Sequence, residues 1–235
     1  RLAEEQLCCV LYPAQPMTAN NSKCWNWFKA EDQQREGGEP AILAGMTRQI
    51  IATYGLDASR VYVAGLSAGA AMATTLAMTY PDLFAAVGVH SGLPHGVAQS
   101  LPDALGAMQG GTGPLGGGNQ AKGAGWGSNV PAIIFHGDRD TTVHPSNADR
   151  VAAQYSTSRQ AGATVEQGKV ANGHAYTRTT HHNEKGEPHM EQWCIHGAGH
   201  AWSGGSKKGS YTDPQGPDAT REMLRFFLQH RQIVS

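Results

Sequence analysis

Short runs of apolar residues alternate along the chain with longer segments in which apolar residues recur at helical spacing. Three runs rich in valine, isoleucine and alanine, at residues 61–64, 85–90 and 132–135, predict buried strands, because turn-forming residues bound them. Further strands are predicted at 7–12, 164–170, 176–181 and 191–195, and helices at 1–6, 40–54, 68–79, 147–160 and 218–231. This alternation predicts an α/β fold with a mostly parallel central sheet flanked by helices.

Composition narrows the class of protein. The chain has 235 residues, of which 40% are hydrophobic and 16% charged, and its formal net charge is −1. These values predict one globular domain over residues 1–235, without the charge that a nucleic-acid partner requires. No apolar run approaches the roughly 20 residues that span a bilayer, so we expect no membrane insertion. Residues 91–129 are rich in glycine and proline and predict an irregular insertion with a short helix near 101–108.

The pentapeptide GLSAG, residues 65–69, lies between a predicted strand and a predicted helix. In this context G-x-S-x-G is typical of a nucleophile elbow, in which a serine stands clear of its own backbone at a sharp turn. The glycines remove Cβ atoms that would collide there, and the N–H of Ala68 would be one donor to an oxyanion formed at Ser67. The alternative is a structural turn in which Ser67 only caps the helix.

A nucleophilic serine of this kind needs an acid and then a histidine, each following a later strand. The segment AIIFHGDRDTTVHP offers Asp138 and Asp140. Asp140 is the predicted acid because it lies further along the loop, whereas Asp138 is predicted to cap that loop. The segment CIHGAGHAWSGG offers His196 and His200; small neighbours favour His200 as the base, and His196 is predicted to be structural. Ser67, Asp140 and His200 would then meet at the carboxyl edge of the sheet.

Several histidines also raise the possibility of a metal site. His196 and His200 are four residues apart, the spacing of zinc ligands on one face of a helix. Gly197 and Gly199 argue against a helix there, and the chain contains no H-E-x-x-H pattern. We therefore expect no metal.

Together the segments CWNWF, GLSAG, YPDLFAAVGVHSGL, FHGDRDTTVHP and GAGHAWSGG resemble the catalytic domain of poly(3-hydroxybutyrate) depolymerases and their esterase relatives. The resemblance runs from about residue 7 to the last predicted helix. It implies an α/β-hydrolase fold and a serine-esterase mechanism, without metal or cofactor, acting on short-chain polyesters or oligoesters. Carried over residue by residue, Ser67 is the nucleophile, Asp140 the acid and His200 the base.

Three tryptophans lie beside these motifs and are the predicted substrate contacts. Trp25 and Trp27 belong to the CWNWF loop, which the resemblance assigns to the substrate cleft, and Trp202 follows His200 by two residues. Indole rings suit the apolar repeats and regularly spaced carbonyls of a polyester. The alternative for each is packing in the core, the commoner environment of tryptophan, and this applies most to Trp27.

The family that these motifs resemble carries an HGC-type segment upstream of the strand predicted here at 7–12, and that segment supplies the second oxyanion donor. We find none before this strand, so we expect an α/β-hydrolase fold that lacks its N-terminal strands and is completed by an upstream segment or a paired fragment. The partner of Cys24 is expected in that segment. The remaining cysteines are expected to be packed free thiols in strands: Cys8, Cys9 and Cys194.

The leading hypothesis is a serine esterase that hydrolyses poly(3-hydroxybutyrate) or related oligoesters. A feruloyl or acetyl-xylan esterase is the alternative enzyme. Outside enzymes, the alternative is a catalytically silent α/β-hydrolase-like binding module that keeps the elbow as a scaffold. We expect an extracellular location, with the cytoplasm, at polyester granules, as the alternative.

Overall fold

The computed structural model describes residues 1–111, 128–156 and 161–232. Its α-helices are α1 (Leu2–Glu5), α2 (Gly38–Tyr54), α3 (Ala68–Thr79), α4 (Leu101–Met108), α5 (Ser146–Tyr155) and α6 (Ala219–Phe227). Its strands are β1 (Tyr62–Leu66), β2 (Ala86–His90), β3 (Ala132–Gly137), β4 (Gly162–Lys169), β5 (Ala175–His182), β6 (Pro188–Ile195), β7 (Trp202–Ser203) and β8 (Thr212–Asp213). A short 3-10 helix, Ala30–Gln33, precedes α2.

One six-stranded sheet organises the described residues, in the order β1-β2-β3-β6-β5-β4, and β7 pairs with β8 separately. Strands β1, β2, β3 and β6 are parallel, and β5 and β4 continue the sheet in antiparallel pairs. The predicted α/β class and mostly parallel sheet are confirmed. The carboxyl ends of parallel strands lie at one edge, so the loops that follow β1, β3 and β6 are neighbours there.

Helices cover the parallel strands on both faces. Ile134 of β3 packs with Ala73 of α3 and Val151 of α5, whereas the next residue back, Ile133, packs with Phe226 of α6. Successive side chains of a strand point to opposite faces, so β3 is apolar on both. This burial makes β3 a rigid support for the loop that follows it.

Two predicted helices end earlier in the structure than in the sequence pattern. The helix predicted at 147–160 is α5, which ends at Tyr155, and residues 157–160 lie outside the described ranges. The helix predicted at 218–231 ends at Phe227. No helix within the described ranges is long and apolar enough to cross a bilayer.

The structure corrects the strand predicted at residues 7–12, which has no strand conformation. Leu7 is 94% exposed and Tyr12 is 86% exposed. An apolar run becomes a strand only where a neighbour pairs its backbone N–H and C=O groups. None of the described strands pairs with this segment. The packing predicted for Cys8 and Cys9 is therefore wrong, because Cys9 is exposed and Cys8 only half-buried, although both are free thiols.

The described part of the glycine- and proline-rich insertion contributes residues to the core. The short helix predicted near 101–108 is present as α4, and its residues Ala104 and Ala107 share a buried cluster with Leu93. Residues 112–127 of the predicted insertion lie outside the described ranges.

The turn from β1 into α3 requires glycine at residue 65. A Cβ placed on Gly65 would lie 2.7 Å from the backbone nitrogen of Ala70 and closer still to the carbonyl group of Gly69. These are backbone atoms of the helix, so they cannot move aside as the end of a flexible side chain can. The first position of GLSAG therefore requires glycine for a steric reason, which the pentapeptide alone only suggests.

Replacing Gly65 by alanine should destabilise the protein, whereas the same change at Gly45 should stabilise it. Gly65→Ala is expected to lower the free energy of unfolding by at least about 2 kcal/mol, because its Cβ overlaps the start of α3. Gly45 lies within α2 with nothing inside 4 Å of its Cβ position. Gly45→Ala should therefore raise the free energy of unfolding by about 0.5–1 kcal/mol. Urea unfolding measures both, and equal midpoints would contradict the steric account of the turn.

Candidate active site

Ser67 follows β1 directly, and its backbone is held in a conformation that serine rarely adopts. Its φ is 56° and its ψ is −118°, a region in which a non-glycine residue carries about 1–3 kcal/mol of strain. The N–H of Ser67 donates a 3.0 Å hydrogen bond to the carbonyl oxygen of His90 at the end of β2. Within the described first turn of α3, the Ser67 hydroxyl makes no capping hydrogen bond. Helix capping therefore does not explain the serine.

Asp140 and His200 come together from two different loops. Asp140 follows β3, and His200 follows β6, which is the neighbour of β3 in the sheet. His200 Nδ1 lies 2.7 Å from Oδ2 of Asp140; the Asp140 side chain is fully buried, and that of His200 is 14% exposed. A carboxylate only accepts hydrogen bonds, so Nδ1 carries a proton, and Nε2 is the basic nitrogen of the neutral ring.

Several donors surround the Asp140 carboxylate. Its Oδ1 accepts the backbone N–H groups of Thr142 at 2.9 Å and Val143 at 2.8 Å. His136 Nε2 lies 3.3 Å from Oδ2 of Asp140 and 2.8 Å from the Val143 carbonyl, so this nitrogen faces two acceptors and carries a proton. Burial would raise the pKa of Asp140, but the hydrogen bonds from His136, His200 and Val143 outweigh it and hold the pKa well below its usual range. A fixed negative charge thus lies against His200.

Ser67, Asp140 and His200 all lie beyond the carboxyl ends of parallel strands, on loops from one edge of the sheet. Among the described residues, no hydrogen bond joins the Ser67 hydroxyl to His200. Catalytic hydrogen bonds are often long in ligand-free structures and tighten in the substrate complex. The joint role of the three residues stays a prediction.

Asp138 and His196 form a second acid–histidine pair beside the first. His196 Nδ1 lies 3.0 Å from Oδ2 of Asp138, and the N–H of Gly197 donates to Oδ1 at 2.7 Å. Burial would raise the pKa of Asp138, but these two hydrogen bonds lower it. With Sγ of Cys194, three atoms able to bind a metal lie within 4.8 Å of one another. His196 and His200 themselves belong to separate pairs, and Asp138 links the loops that follow β3 and β6.

Trp25 lies beside the elbow because a buried carboxylate anchors its loop. Its Cδ1 lies 4.0 Å from the Cβ position of Gly69, the last residue of GLSAG. Glu39, in the first turn of α2, accepts the backbone N–H of Asn26 at 2.7 Å and the Asn26 side-chain amide at 2.6 Å. The side-chain amide of Gln15 donates to the same carboxylate at 2.6 Å. Three hydrogen-bond donors and the positive end of the α2 dipole thus hold one carboxylate beneath the loop that carries Trp25.

The other two tryptophans have different surroundings. Trp202 is partly exposed; its Nε1 donates to Oγ1 of Thr220 at 3.0 Å, and its ring stacks on His90 with centroids 5.1 Å apart. Trp27 is only 7% exposed and packs in the core, edge-on to Phe28 at 5.7 Å. A buried indole offers little surface to a substrate. We therefore assign Trp27 to the core, which corrects its predicted position in the cleft.

Sequence reasoning missed three residues that support the site: Glu39, His90 and His136. The only feature of Glu39 visible in the sequence is its position near the start of a predicted helix. That position predicts a favourable interaction with the helix dipole, but not that the carboxylate anchors a neighbouring loop. His90 and His136 lie within predicted strands or at their ends, where a histidine reads as a core residue. The His90 ring is hydrogen-bonded to Ser203, more than 100 residues further along the chain. The His136 ring is hydrogen-bonded to the carbonyl of Val143, in the turn that follows its own strand.

The strand order, the elbow and the acid–histidine pair define an α/β-hydrolase. The solved structure of an acetyl xylan esterase from Aspergillus awamori has this fold and superimposes with a TM-score of 0.53. The superposition covers 76% of this chain and 68% of that chain, at 26% sequence identity.

Sequence comparison gives the family within that class. Residues 1–175 match the model of the family described as "Esterase PHB depolymerase", and the chain belongs to this family. Poly(3-hydroxyalkanoate) depolymerase C of Paucimonas lemoignei is 35% identical over 196 residues, which cover 81% of this chain and 47% of that protein. Acetylxylan esterase A of Aspergillus awamori is 32% identical over 169 residues, covering 66% and 54%. The chain spans about half the length of the curated relatives it matches.

Two buried histidines should make the folded protein sensitive to acid. Burial lowers the pKa of His90 to about 3, with the charges of His136 and His200 adding to the effect, and burial lowers the pKa of His95 to about 4. The unfolded chain has a histidine pKa of roughly 6.5 and therefore binds more protons below that pH. Stability should fall from about pH 6.5 downward, by at most about 1.4 kcal/mol per pH unit for each histidine.

A His95→Gln variant tests this account, because it removes one of the histidines whose pKa is lowered by burial. Between pH 7 and pH 5 the variant should lose about 1–2 kcal/mol less free energy of unfolding than the wild type. Urea unfolding at the two pH values measures the difference within each protein, so any effect of the substitution at pH 7 cancels. Identical losses in both proteins would show that His95 does not stay neutral on folding.

Proposed function

We propose that the protein is a carboxylic-ester hydrolase whose catalytic triad is Ser67, Asp140 and His200. The observation that carries this proposal is the 2.7 Å hydrogen bond between the buried Asp140 and His200 at the sheet edge that also carries the strained Ser67 turn. A structural histidine has no need of a carboxylate held by three further donors. A base that must become charged during a reaction does need one.

In the proposed first step, Ser67 Oγ attacks the ester carbonyl carbon while Nε2 of His200 takes the serine proton. Asp140 keeps the Nδ1 proton on the far side of the ring and stabilises the imidazolium that forms. The backbone N–H of Ala68, the first residue of α3, has no partner within its helix and donates to the oxyanion. Collapse of the tetrahedral intermediate breaks the ester bond, and His200 returns the proton to the leaving alcohol.

In the second step, a water molecule gives a proton to His200 and attacks the acyl-enzyme. The carboxylic acid leaves, and the proton returns to Ser67 Oγ. The Ser67 turn helps both steps, because its backbone strain is present before the substrate arrives and is not generated during the reaction. No metal takes part in either step of this proposal.

The substrate favoured for this site is a short-chain polyester such as poly(3-hydroxybutyrate), or its oligomers. Membership in the depolymerase family and the similarity to poly(3-hydroxyalkanoate) depolymerase C support this choice. Trp25, beside the elbow, and Trp202, two residues after His200, are both partly exposed and offer apolar surface near the proposed triad. A polymer cannot cross a membrane, so the enzyme would act outside the cell, or on granules if it stays in the cytoplasm.

Acetylxylan is the second candidate substrate. It is favoured by the TM-score of 0.53 to an acetyl xylan esterase and by the 32% identity to acetylxylan esterase A. Ser67 would attack an ester carbonyl in either substrate. The two substrates differ in the group that must bind beside the acyl group. Release of hydroxyacid from a polyester film, set against release of acetate from acetylated xylan, distinguishes them. A folded protein that turns over neither and resists a fluorophosphonate would be a binding module.

Substitutions in the triad should abolish hydrolysis in a non-additive way. Ser67→Ala and His200→Ala should each lower kcat/KM for a soluble aryl ester by about 10⁴-fold or more, and the double variant should be little worse than either. Asp140→Asn removes the charge and favours the wrong tautomer of His200, so it should also cause a large loss. Asp138→Asn is the matched control and should change kcat/KM little. A folded Asp138→Asn protein less active than Asp140→Asn would overturn the choice of acid.

Trp25 should matter more for a polymer than for a small ester. Trp25→Ala removes apolar surface next to the elbow, and we expect activity on polyester film to fall about 10-fold further than activity on a soluble aryl ester. Trp27→Phe is the control: it should lower stability without changing the ratio of the two activities, since Trp27 lies in the core. An unchanged ratio for Trp25→Ala would remove this residue from the substrate site.

A further inference from the structure

His90, the last residue of β2, is hydrogen-bonded to the backbone segment that carries Ser67 and to the one that carries His200. Its carbonyl oxygen accepts the N–H of Ser67 at 3.0 Å. Its ring Nε2 accepts the N–H of Ser203 at 3.1 Å, three residues beyond His200. One fully buried residue thus connects the nucleophile turn to the histidine loop.

The partners of the His90 ring allow only one tautomer. A backbone N–H can only donate, so Nε2 presents its lone pair to Ser203, and the ring proton lies on Nδ1. That Nδ1 lies 3.1 Å from Oγ of Ser91, which accepts the proton. Ser91 is fully buried and has a φ of 50°, so a second strained serine backs the ring.

The stacking of the His90 ring adds contact with the same loop. Phe135 of β3 lies on the ring at 5.7 Å and Trp202 at 5.1 Å between centroids, both nearly parallel to it. The Ser203 hydroxyl donates to the carbonyl of Pro217 at 2.6 Å, so the loop is also tied from its other side. The segment from His200 to Ser203 is therefore held at Ser203. Three residues of chain span at most about 11 Å, so this restraint lies close to the proposed base, His200.

We propose that His90 is a positioning residue that sets the distance between Ser67 and His200 by binding the two backbone segments that carry them. This inference rests on the proposed function, because it assigns the role relative to that triad. The low pKa that burial imposes on His90 agrees with it, since a protonated Nε2 could not accept the Ser203 N–H. The role requires an acceptor at Nε2 and not merely a ring that fills the space.

Two substitutions separate the acceptor from the ring. His90→Phe keeps the stacking on Phe135 and Trp202 but leaves the Ser203 N–H without an acceptor. His90→Gln loses the ring, but its side-chain carbonyl oxygen can reach the position of Nε2. Because a shift of about 1 Å in a catalytic group lowers the rate about 10²-fold, His90→Phe should lower kcat about 10²-fold with little change in KM. His90→Gln should recover about 10-fold or more of that loss.

His230→Phe is the matched control, because His230 is a partly buried histidine with a lowered pKa that lies beside Phe226 and outside the site. It should leave kcat unchanged. Ser91→Ala is a second, milder variant that removes the acceptor of the Nδ1 proton and so loosens the ring, and it should lower kcat about 10-fold even if His90→Phe does not fold. A kcat of wild-type size in folded His90→Phe, or equal losses in the Phe and Gln variants, would overturn the acceptor role.

Amide hydrogen exchange at Ser203 tests the link without any activity. Exchange should be faster than wild type in His90→Phe and in Ser91→Ala, and close to wild type in His90→Gln. If the wild type neither hydrolyses esters nor reacts with a fluorophosphonate, the proposed function fails, and this exchange pattern alone still supports or rejects the link. Equal Ser203 exchange in all variants would reject the link even in an active enzyme.

Discussion

The backbone conformation of Ser67 is the constraint on which the rest of the site depends. A non-glycine residue at φ 56° returns to a relaxed conformation unless its neighbours prevent it. Here the N–H of Ser67 is bound to the end of β2, and Gly65 lets α3 begin within van der Waals distance of β1. The first restraint needs β1 and β2 to be paired in the register that places Leu66 opposite His90, and the second needs α3 to pack directly against β1. The strain at one residue is thus sustained by two paired strands and the helix that follows β1.

The second requirement is a buried negative charge that does not unfold the loop that carries it. An isolated carboxylate inside a protein is so unfavourable that it normally takes up a proton. Asp140 avoids this because two backbone N–H groups and two histidine rings donate to it. Two of these donors, from Thr142 and Val143, belong to its own loop, so the charge also folds the turn that holds it. The loop and the ionised acid therefore stabilise each other.

The sequence predicted the parts of the molecule in which local pattern and tertiary contact agree. The GLSAG turn and the full extent of α3 follow from residue type and from position after a strand. The loop-capping role predicted for Asp138 is wrong, because its carboxylate binds His196 and the N–H of Gly197 beyond β6, whereas Asp140 accepts N–H groups of its own loop. The strand predicted at 7–12 failed because an apolar run records a preference for burial and not the presence of a pairing neighbour. The CWNWF motif predicts the cleft for Trp27 as well as for Trp25, although Trp27 is buried in the core and Trp25 lies beside Gly69 of the elbow. Contacts of His90 and Glu39 could not be predicted, since they join segments that no periodicity relates.

Four histidines near the sheet edge show why residue type alone does not assign a base. His90 uses both ring nitrogens in fixed hydrogen bonds, and His196 does the same with Asp138 and Thr177. His136 directs Nε2 at Asp140 and Val143, and its Nδ1 is buried without a partner among the described residues. His200 combines a bond from Nδ1 to a buried carboxylate with a side chain that is 14% exposed. A base must be oriented through one nitrogen and accessible through the other, and of these four rings His200 meets both conditions.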